Sequence, residues 1–453
     1  MTLPPKPIRL NDGRFTVPGN RWDLLDSTGG RTPSVGVIIP FYNQHRDLEL
    51  LLEALERQTD PAHLLDTVVA DDGSARTPHE RPGIRVVRQD DLGFRAAAAR
   101  NLGAATTDAE VLCFLDADTI PAPDYIRQIV RLPALAPDTL VVGRRLHADL
   151  GDWTPAQLDH WWSGGPAPRM FDTPRWLSDE YARSGNLLRL DHRSYRYVIS
   201  SVMCCSKKLF DELAGFDETF TQYGGEDWEF AHRALAGGAV LHHAPDAVAW
   251  HNGPDWAARE VPGRAGAKNA EAMALAQRIT DPDARSFGLR YAIPDVAVRL
   301  DADGHTAGSL LTTLSCFLEH DVGIWVDGPR AGDLLGQIGA EDQRLHAGTV
   351  PAEVRRRCRF MVDVTGRAVL PSAAVSAILT RCAAPGVGTV EVAATGTRVL
   401  CRSSWSVNRL RRWSAGEVRL VDPDDATRLG QTVLLGGDEL GLYCGKAEPD
   451  LSW

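Results

Sequence analysis

Val111-Leu112-Cys113-Phe114-Leu115-Asp116-Ala117-Asp118 is an apolar run with β-branched and aromatic members that ends abruptly in two carboxylates. The run reads as a buried strand. In an open α/β sheet the ligand crevice lies outside the carboxyl ends of the strands, so this strand would deliver Asp116 and Asp118 to its edge. Residues two apart in extended chain share a face, and two carboxylates on one face suit a hard cation that also grips phosphate oxygens, such as Mg2+ or Mn2+. Asp-x-Asp is also ordinary turn chemistry, so the pair takes its meaning from its neighbours.

Those neighbours alternate. Val35-Gly36-Val37-Ile38-Ile39-Pro40 reads as a short buried strand stopped by Pro40, and Leu48, Leu51, Leu52 and Leu55 then give one apolar helix face that closes near Thr59-Asp60-Pro61. Thr67-Val68-Val69-Ala70 is a strand running into Asp71-Asp72-Gly73-Ser74, and Ile84-Arg85-Val86-Val87 is a third. Gly93-Phe94-Arg95 leads into an Ala-rich helix ending near Gly103; Pro121-Ala122-Pro123-Asp124 marks a turn and helix start; Leu140-Val141-Val142-Gly143 is a further strand. Strands alternating with helices predict a mainly parallel sheet with helices on both faces.

Residues 149–190 break this rhythm with Trp153, Trp161, Trp162 and Trp176 among Gly, Pro and charges. They read as a long loop, its rings serving either local packing or a sugar-stacking acceptor site. Strand character returns at Ser200-Ser201-Val202-Met203-Cys204-Cys205. Gly224-Gly225-Glu226-Asp227 then places two acids on the first turn of a helix, where the macrodipole favours negative charge.

Composition bounds the answer. The chain has 453 residues, enough for two or three domains, and a net charge of −11. Arg355-Arg356-Arg357 is the one basic block, which disfavours nucleic acid as a partner. No apolar run approaches the length of a membrane span, and residues 1–10 carry Pro and Lys where a signal peptide needs an apolar core. The 8 cysteines form no Cys-x-x-Cys pair, so they read as reduced thiols of a cytoplasmic protein.

Taken in order, Val37-Ile38-Ile39-Pro40-Phe41-Tyr42-Asn43, Asp71-Asp72-Gly73-Ser74, Gly93-Phe94-Arg95 with Arg100-Asn101, Asp116-Ala117-Asp118, Gly224-Gly225-Glu226-Asp227 and Trp250-His251-Asn252 resemble the inverting glycosyltransferases of family 2 with a GT-A fold. The likeness covers about residues 34–255 and looks closest to bacterial chondroitin-polymerase-type domains. It implies a Rossmann-like mixed sheet and a UDP-sugar donor. It also implies a hexosyl or N-acetylhexosaminyl group moved to a hydroxyl or similar nucleophile of a glycan, peptide or small natural product. By resemblance, Mn2+ or Mg2+ is held by Asp118 and His251, with Asp116 sharing the metal through water or holding the ribose. Pro40 and Phe41 line the base pocket, Asp72 accepts from the uracil N–H, and Arg95 and Asn101 approach the nucleotide. Asp227 is the general base and Glu226 orients the acceptor or the donor sugar; the two roles are open to exchange.

Two rival classes remain: a non-catalytic nucleotide-sugar or glycan-binding protein on the same scaffold, and a nucleotidyltransferase. The second would carry a Gly-rich basic loop, which residues 37–43 lack. The domain reading is an arm at 1–33, a catalytic domain at 34–258, a helical linker at 259–290 and an accessory α/β domain at 291–453. In the last, Val296-Ala297-Val298-Arg299-Leu300, a helix over residues 310–317 and Val322-Gly323-Ile324-Trp325-Val326-Asp327-Gly328 parallel the first strand, helix and Asp-Gly turn. Phe360-Met361-Val362-Asp363 parallels Phe114-Leu115-Asp116, with Val364-Thr365 where a second metal-binding Asp is needed, and Val399-Leu400-Cys401-Arg402-Ser403 parallels Val202-Met203-Cys204-Cys205-Ser206. The domain is either a degenerate, inactive GT-A-like repeat or an unrelated module that binds the acceptor or pairs two chains in a homodimer.

Overall fold

The computed structural model describes residues 5–59, 65–255, 263–384, 386–414 and 416–452, which fall into two units. The first holds residues 1–235 and 239–274, the second 236–238 and 275–453. The division falls inside the helix Arg264–Arg278, so the expected linker is shared between units; residues 259–262 lie outside the described residues, as do Asp60 and Pro61.

The first unit opens with a hairpin of β1 (Ile8–Arg9) and β2 (Phe15–Thr16), antiparallel to each other. Ile8, Leu10, Val17 and Leu25 are fully buried, so this segment is part of the core rather than an extended arm. Next come β3 (Val35–Phe41), α1 (His45–Glu56), β4 (Leu65–Asp71), β5 (Ile84–Arg88), α2 (Ala96–Ala105), β6 (Val111–Leu115), β7 (Thr119–Pro121), α3 (Tyr125–Leu135) and β8 (Thr139–Ala148). After them lie α4 (Pro155–Trp162), β9 (Met170–Phe171), α5 (Arg175–Ser184), β10 (Val202–Ser206), α6 (Lys207–Glu212), α7 (Glu226–Ala236), β11 (Val240–Asn252) and α8 (Arg264–Arg278).

One sheet gathers these strands in the order β5-β4-β3-β6-β10-β8-β11-β7. β3 pairs in parallel with β4 and β6, and β8 with β11, but β10 runs antiparallel to both β6 and β8. The sheet is therefore mixed, as the family resemblance implied; strand-helix alternation alone pointed to mainly parallel pairing, because it does not register that the chain crosses α4 and α5 before returning as β10. Pro40 does not stop β3, which runs on to Phe41; β6 accompanies β3 only as far as Ile38, so a missing amide at position 40 costs no bond to β6. α2 packs on β3 and β4 at close range, and a Cβ at Gly103 would stand 2.7 Å from Ile38 Cγ2.

Residues 149–190 form two helices rather than one long loop. Thr154 caps α4 with Gln157 in a reciprocal capping box and Pro155 occupies the first turn, while Gly185 closes α5 in the left-handed conformation. Among the described residues no helix is long and apolar enough to cross a membrane.

The second unit contains β12 (Val296–Asp301), α9 (Ala307–Ser315), β13 (Val322–Asp327), α10 (Ala331–Ile338), β14 (Leu345–Ala347), α11 (Ala352–Arg357), β15 (Phe360–Thr365) and β16 (Ala368–Val369). Then follow α12 (Ser372–Cys382), β17 (Val387–Ala394), β18 (Thr397–Ser403), α13 (Ser404–Ser414), β19 (Gln431–Gly436), α14 (Gly437–Leu440) and β20 (Tyr443–Cys444). Its main sheet has the order β14-β13-β12-β15-β18-β17-β19, with β18 antiparallel to β15 and β17. Counted along the chain this is third, second, first, fourth, antiparallel sixth, fifth and seventh, the sequence of neighbours that β5 to β11 follow in the first unit.

The ladders correct two sequence alignments. Val296 faces Phe360 as Val35 faces Val111, which sets Asp363 level with Phe114 and Thr365 level with Asp116. Val296 faces Val322 as Val35 faces Leu65, so Asp327 is level with Ala70 and not with Asp72. Short apolar strands slide past each other in sequence without penalty; hydrogen-bond registry does not.

Under the acid-bearing ends of the first sheet lies an aromatic cluster. Phe114 on β6 meets Phe210 and Phe216 at ring distances of 5.4 and 5.5 Å, and Phe216 meets Phe230 of α7 at 4.8 Å. These contacts couple the strand carrying Asp116 to the helix carrying Asp227. Phe230→Ala is expected to cost about 3–5 kcal/mol of first-unit stability, read as a lower urea midpoint of its transition at unchanged slope.

Candidate functional site

Four strand ends and one helix start converge on a cavity of about 980 Å³, a size suited to a small-molecule ligand. The loop from β3 to α1 supplies Pro40, Phe41, Tyr42 and Gln44, the end of β4 supplies Asp72, and the turn from β6 to β7 supplies Asp116 and Asp118. Gly224 through Trp228 at the start of α7 and His251 of β11 complete the wall.

The order of the site rests on a residue to which sequence reasoning assigned no role. Arg100, on α2, is almost wholly buried and forks between Asp116 Oδ1 at 2.7 Å and Glu226 Oε1 at 2.9 Å. Burial alone would favour loss of its proton, but the two carboxylates outweigh that and keep it charged. An Arg closing an Ala-Ala-Ala-Ala run on a buried helix face was the signal in the sequence.

Glu226 Oε1 is taken by Arg100, while Glu226 Oε2 is buried with no hydrogen-bond partner among the described residues. Its neighbour Asp227 accepts from Trp228 N at 2.8 Å and Ser200 N at 3.4 Å and keeps part of its surface on the cavity. Protein surrounds it otherwise, and this burial, with the negative charge of Glu226, pushes its carboxyl up to about 7 against the opposing pull of Arg100 and the two amides.

Asp118 Oδ1 lies 3.0 Å from His251 Nδ1, and Asp118 Oδ2 accepts a long bond of 3.3 Å from Gln44 Nε2. One carboxylate oxygen and one imidazole nitrogen side by side are donors that suit Mn2+, Mg2+ taking to oxygen more readily than to imidazole; Asp116, its Oδ1 held by Arg100, does not join them as a third ligand within 4.8 Å. The residues present therefore fit a divalent cation.

Asp72 lines the cavity and is positioned from two sides, accepting from Gln89 Nε2 at 2.6 Å and from Arg95 N at 2.9 Å. Each oxygen carries one of these bonds, leaving lone pairs for another donor. Arg95 itself is not among the cavity-lining residues: its contribution is the backbone amide that fixes Asp72. Asn101 is also outside the lining. Its side chain brackets Phe216, accepting from Phe216 N at 2.8 Å and donating to Phe216 O at 2.9 Å. Gly215, at φ +68°, lets this clamp close, since a Cβ there would stand 2.5 Å from Asn101 Oδ1. Of the expected nucleotide ligands, Pro40, Phe41, Asp72 and Asp116 reach the cavity, whereas Arg95 and Asn101 act as scaffold.

The four tryptophans divide. Trp153, Trp161 and Trp162 pack on one another, and Trp161 also packs on Trp250 at 4.6 Å. Trp176 instead lines the cavity, 47% exposed, with Trp228 6.4 Å away and Tyr197 6.0 Å away.

Residues 36–193 match the family described as Glycosyl transferase family 2, and residues 188–247, still within the first unit, match the one described as N-terminal domain of galactosyltransferase. Chondroitin synthase of Escherichia coli is 27% identical over 302 residues, covering 62% of this chain and 43% of its own length. Validoxylamine A glucosyltransferase of Streptomyces hygroscopicus subsp. limoneus is 31% identical over 232 residues, covering 46% of this chain and 49% of its own. This chain thus spans less than half the length of either relative. Among solved structures, GalNAc-T7 with UDP, GalNAc and Mn2+ matches at 16% identity and a TM-score of 0.39, covering 54% of this chain and 48% of that one. The match over residues 36–193, and the mixed sheet whose strand ends carry the paired acids, make the first unit similar to the family 2 glycosyltransferases of the GT-A type.

Proposed function

We propose that the first unit transfers a hexosyl or N-acetylhexosaminyl group, with inversion, from a UDP-sugar to a hydroxyl of a glycan, peptide or small natural product. The observation that carries this reading is the convergence of Asp118 with His251, and of Glu226 with Asp227, on one cavity that also holds Asp72 and the Pro40-Phe41 loop. Curated relatives named as a chondroitin synthase and a glucosyltransferase support the sugar-transfer class.

The uracil ring fits beside Pro40 and Phe41, where Asp72 can accept its N–H. Asp118 and His251 would hold Mn2+ or Mg2+, with Asp116 sharing the ion through water or holding the ribose. A cation held there neutralises the pyrophosphate and supplies Lewis-acid stabilisation to the departing UDP. Asp227 takes the proton of the acceptor hydroxyl as that oxygen bonds to the anomeric carbon and the bond to UDP breaks, the electron pair leaving with UDP. A carboxyl near 7 is well matched to that task, since such a base is about half ionised at neutral pH and basic enough to draw the proton. Glu226 Oε2, buried and without a partner among the described residues, is the acceptor for a sugar hydroxyl. Trp176, exposed in the cavity beside Trp228, supplies a flat apolar face for the acceptor ring. We place the enzyme in the cytoplasm, a compartment compatible with its eight free cysteines.

Calorimetry tests the donor site. Wild type should bind UDP in the presence of Mn2+, and Asp118→Ala or chelation should weaken binding on the order of 100-fold; binding indifferent to both would remove the metal from the donor site.

Asp227→Asn should lower kcat about 100- to 10,000-fold while UDP binding stays. A general base works only when unprotonated, so kcat/KM should fall about tenfold per pH unit below about 7 and level off above it. A flat profile from pH 5 to 8, or full activity in the Asn variant, excludes Asp227 as the base.

Arg100→Met removes a positive charge that holds Asp227 down, so the acid limb should move upward by about one pH unit, besides any loss of rate. A limb that stays in place would mean that Arg100 does not act electrostatically on Asp227.

A further inference from the structure

Because the two sheets share their order of neighbours, their ladders can be compared residue by residue. β15 runs beside β12 with Phe360 facing Val296, as Val111 faces Val35, and beside β18 with Phe360 facing Ser403, as Val111 faces Ser206. In this register the turn after β15 sets Thr365, Gly366 and Arg367 level with Asp116, Ala117 and Asp118. The short strand that follows starts at Ala368, as β7 starts at Thr119, so the count holds through the turn. A guanidinium therefore occupies the position of the metal-side carboxylate. Arg367 Nε donates to Gly445 O at 2.9 Å and its NH1 to Gly304 O at 3.2 Å, and a fixed positive charge there repels a divalent cation.

The crevice beside it differs as well. In the first unit the loop after β3, with Pro40, Phe41, Tyr42 and Gln44, lines the open cavity. Its counterpart after β12 is tied down: His305, 1% exposed, places Nε2 3.3 Å from Gly366 O, a contact in which the ring nitrogen must donate. The chain's own C-terminal segment then crosses this edge. β20 pairs with β16 and Gly445 N donates to Arg367 O at 2.6 Å, just as β11 pairs with β7 and Asn252 N donates to Asp118 O at 2.8 Å in the first unit; beyond this shared crossing, Thr306 Oγ1 donates to Ala447 O at 2.7 Å. Pro449 and Leu451 reach within 3.5 Å of where a Cβ on Gly308 would stand, on the first turn of α9.

We propose that the second unit is a repeat of the first whose donor crevice is closed by its own C-terminal segment and whose metal position has become Arg367, leaving one nucleotide-sugar site among the described residues. This rests on the donor site proposed for the first unit.

The test is calorimetric stoichiometry on the full chain, titrated with UDP in Mn2+, alongside hydrogen exchange. The expected result is one UDP per chain for wild type and binding at least 100-fold weaker for Asp118→Ala. Two UDP per chain, or one site of undiminished affinity surviving in Asp118→Ala, overturns the proposal. No binding by wild type would instead overturn the donor reading of the first unit, and hydrogen exchange then decides the closure by itself. Thr306→Val, and separately a chain ending at Gly445, should each speed exchange through residues 302–309 at least tenfold. Unchanged exchange in both overturns the closed crevice.

Discussion

The first unit depends on one buried charge. Arg100 sits on a helix face otherwise made of alanine and is compensated by two carboxylates from distant parts of the chain, Asp116 at the end of β6 and Glu226 at the start of α7. Desolvating a guanidinium costs several kcal/mol, about as much as its ion pairs return, so such a triad is weak evidence for stability. Its effect is to fix geometry. Without Arg100 the buried Glu226 would be left uncompensated beside the partly exposed Asp116, and the strand end and helix start that frame the cavity would repel each other.

The same triad sets the chemistry next to it. Glu226 and Asp227 are adjacent acids on one helix turn; burial and mutual repulsion oppose two charges there. Arg100 pairs with Glu226 directly and reaches Asp227 only as a Coulomb field, so it is Asp227 whose carboxyl stays raised. The division of labour follows from which acid the guanidinium touches. The aromatic cluster of Phe114, Phe216 and Phe230 makes that choice rigid, since it packs the strand and the helix against each other directly below the charges.

The sequence was most legible where chemistry and backbone coincide. Apolar runs ending in Asp72 and Asp116, and the Gly-Gly-Glu-Asp turn, marked strand and helix ends because the acids interrupt the hydrophobic pattern. Arg95 and Asn101 were harder, since a polar residue near a motif reads as a ligand, and nothing local says that one serves through its amide and the other clamps Phe216 across more than a hundred residues. The antiparallel course of β10 was invisible for a related reason: strand direction is decided by the path of the intervening chain, not by the strand's residues. The α4 helix had a signal that went unread, the Thr154-Pro155 start with Gln157, masked by the tryptophans around it.

The second unit separates fold from site. Its sheet keeps the order of neighbours and the antiparallel sixth strand, because these are enforced by apolar side chains such as Val298, Val362 and Cys401, all 3% exposed or less, which tolerate exchange for one another. Residues at the strand ends face no such demand. Where Asp116 and Asp118 stand in the first unit, Thr365 and Arg367 stand in the second, and the β-ladders run up to that turn undisturbed. An Arg at that turn could not be accommodated by losing its charge, so it needed acceptors, and it has found them in the carbonyls of Gly304 and Gly445. One of these belongs to the C-terminal segment. The chain crosses that turn in both units, with Asn252 N on Asp118 O in the first and Gly445 N on Arg367 O in the second, so the Arg adds a side-chain tie to a crossing the fold already makes.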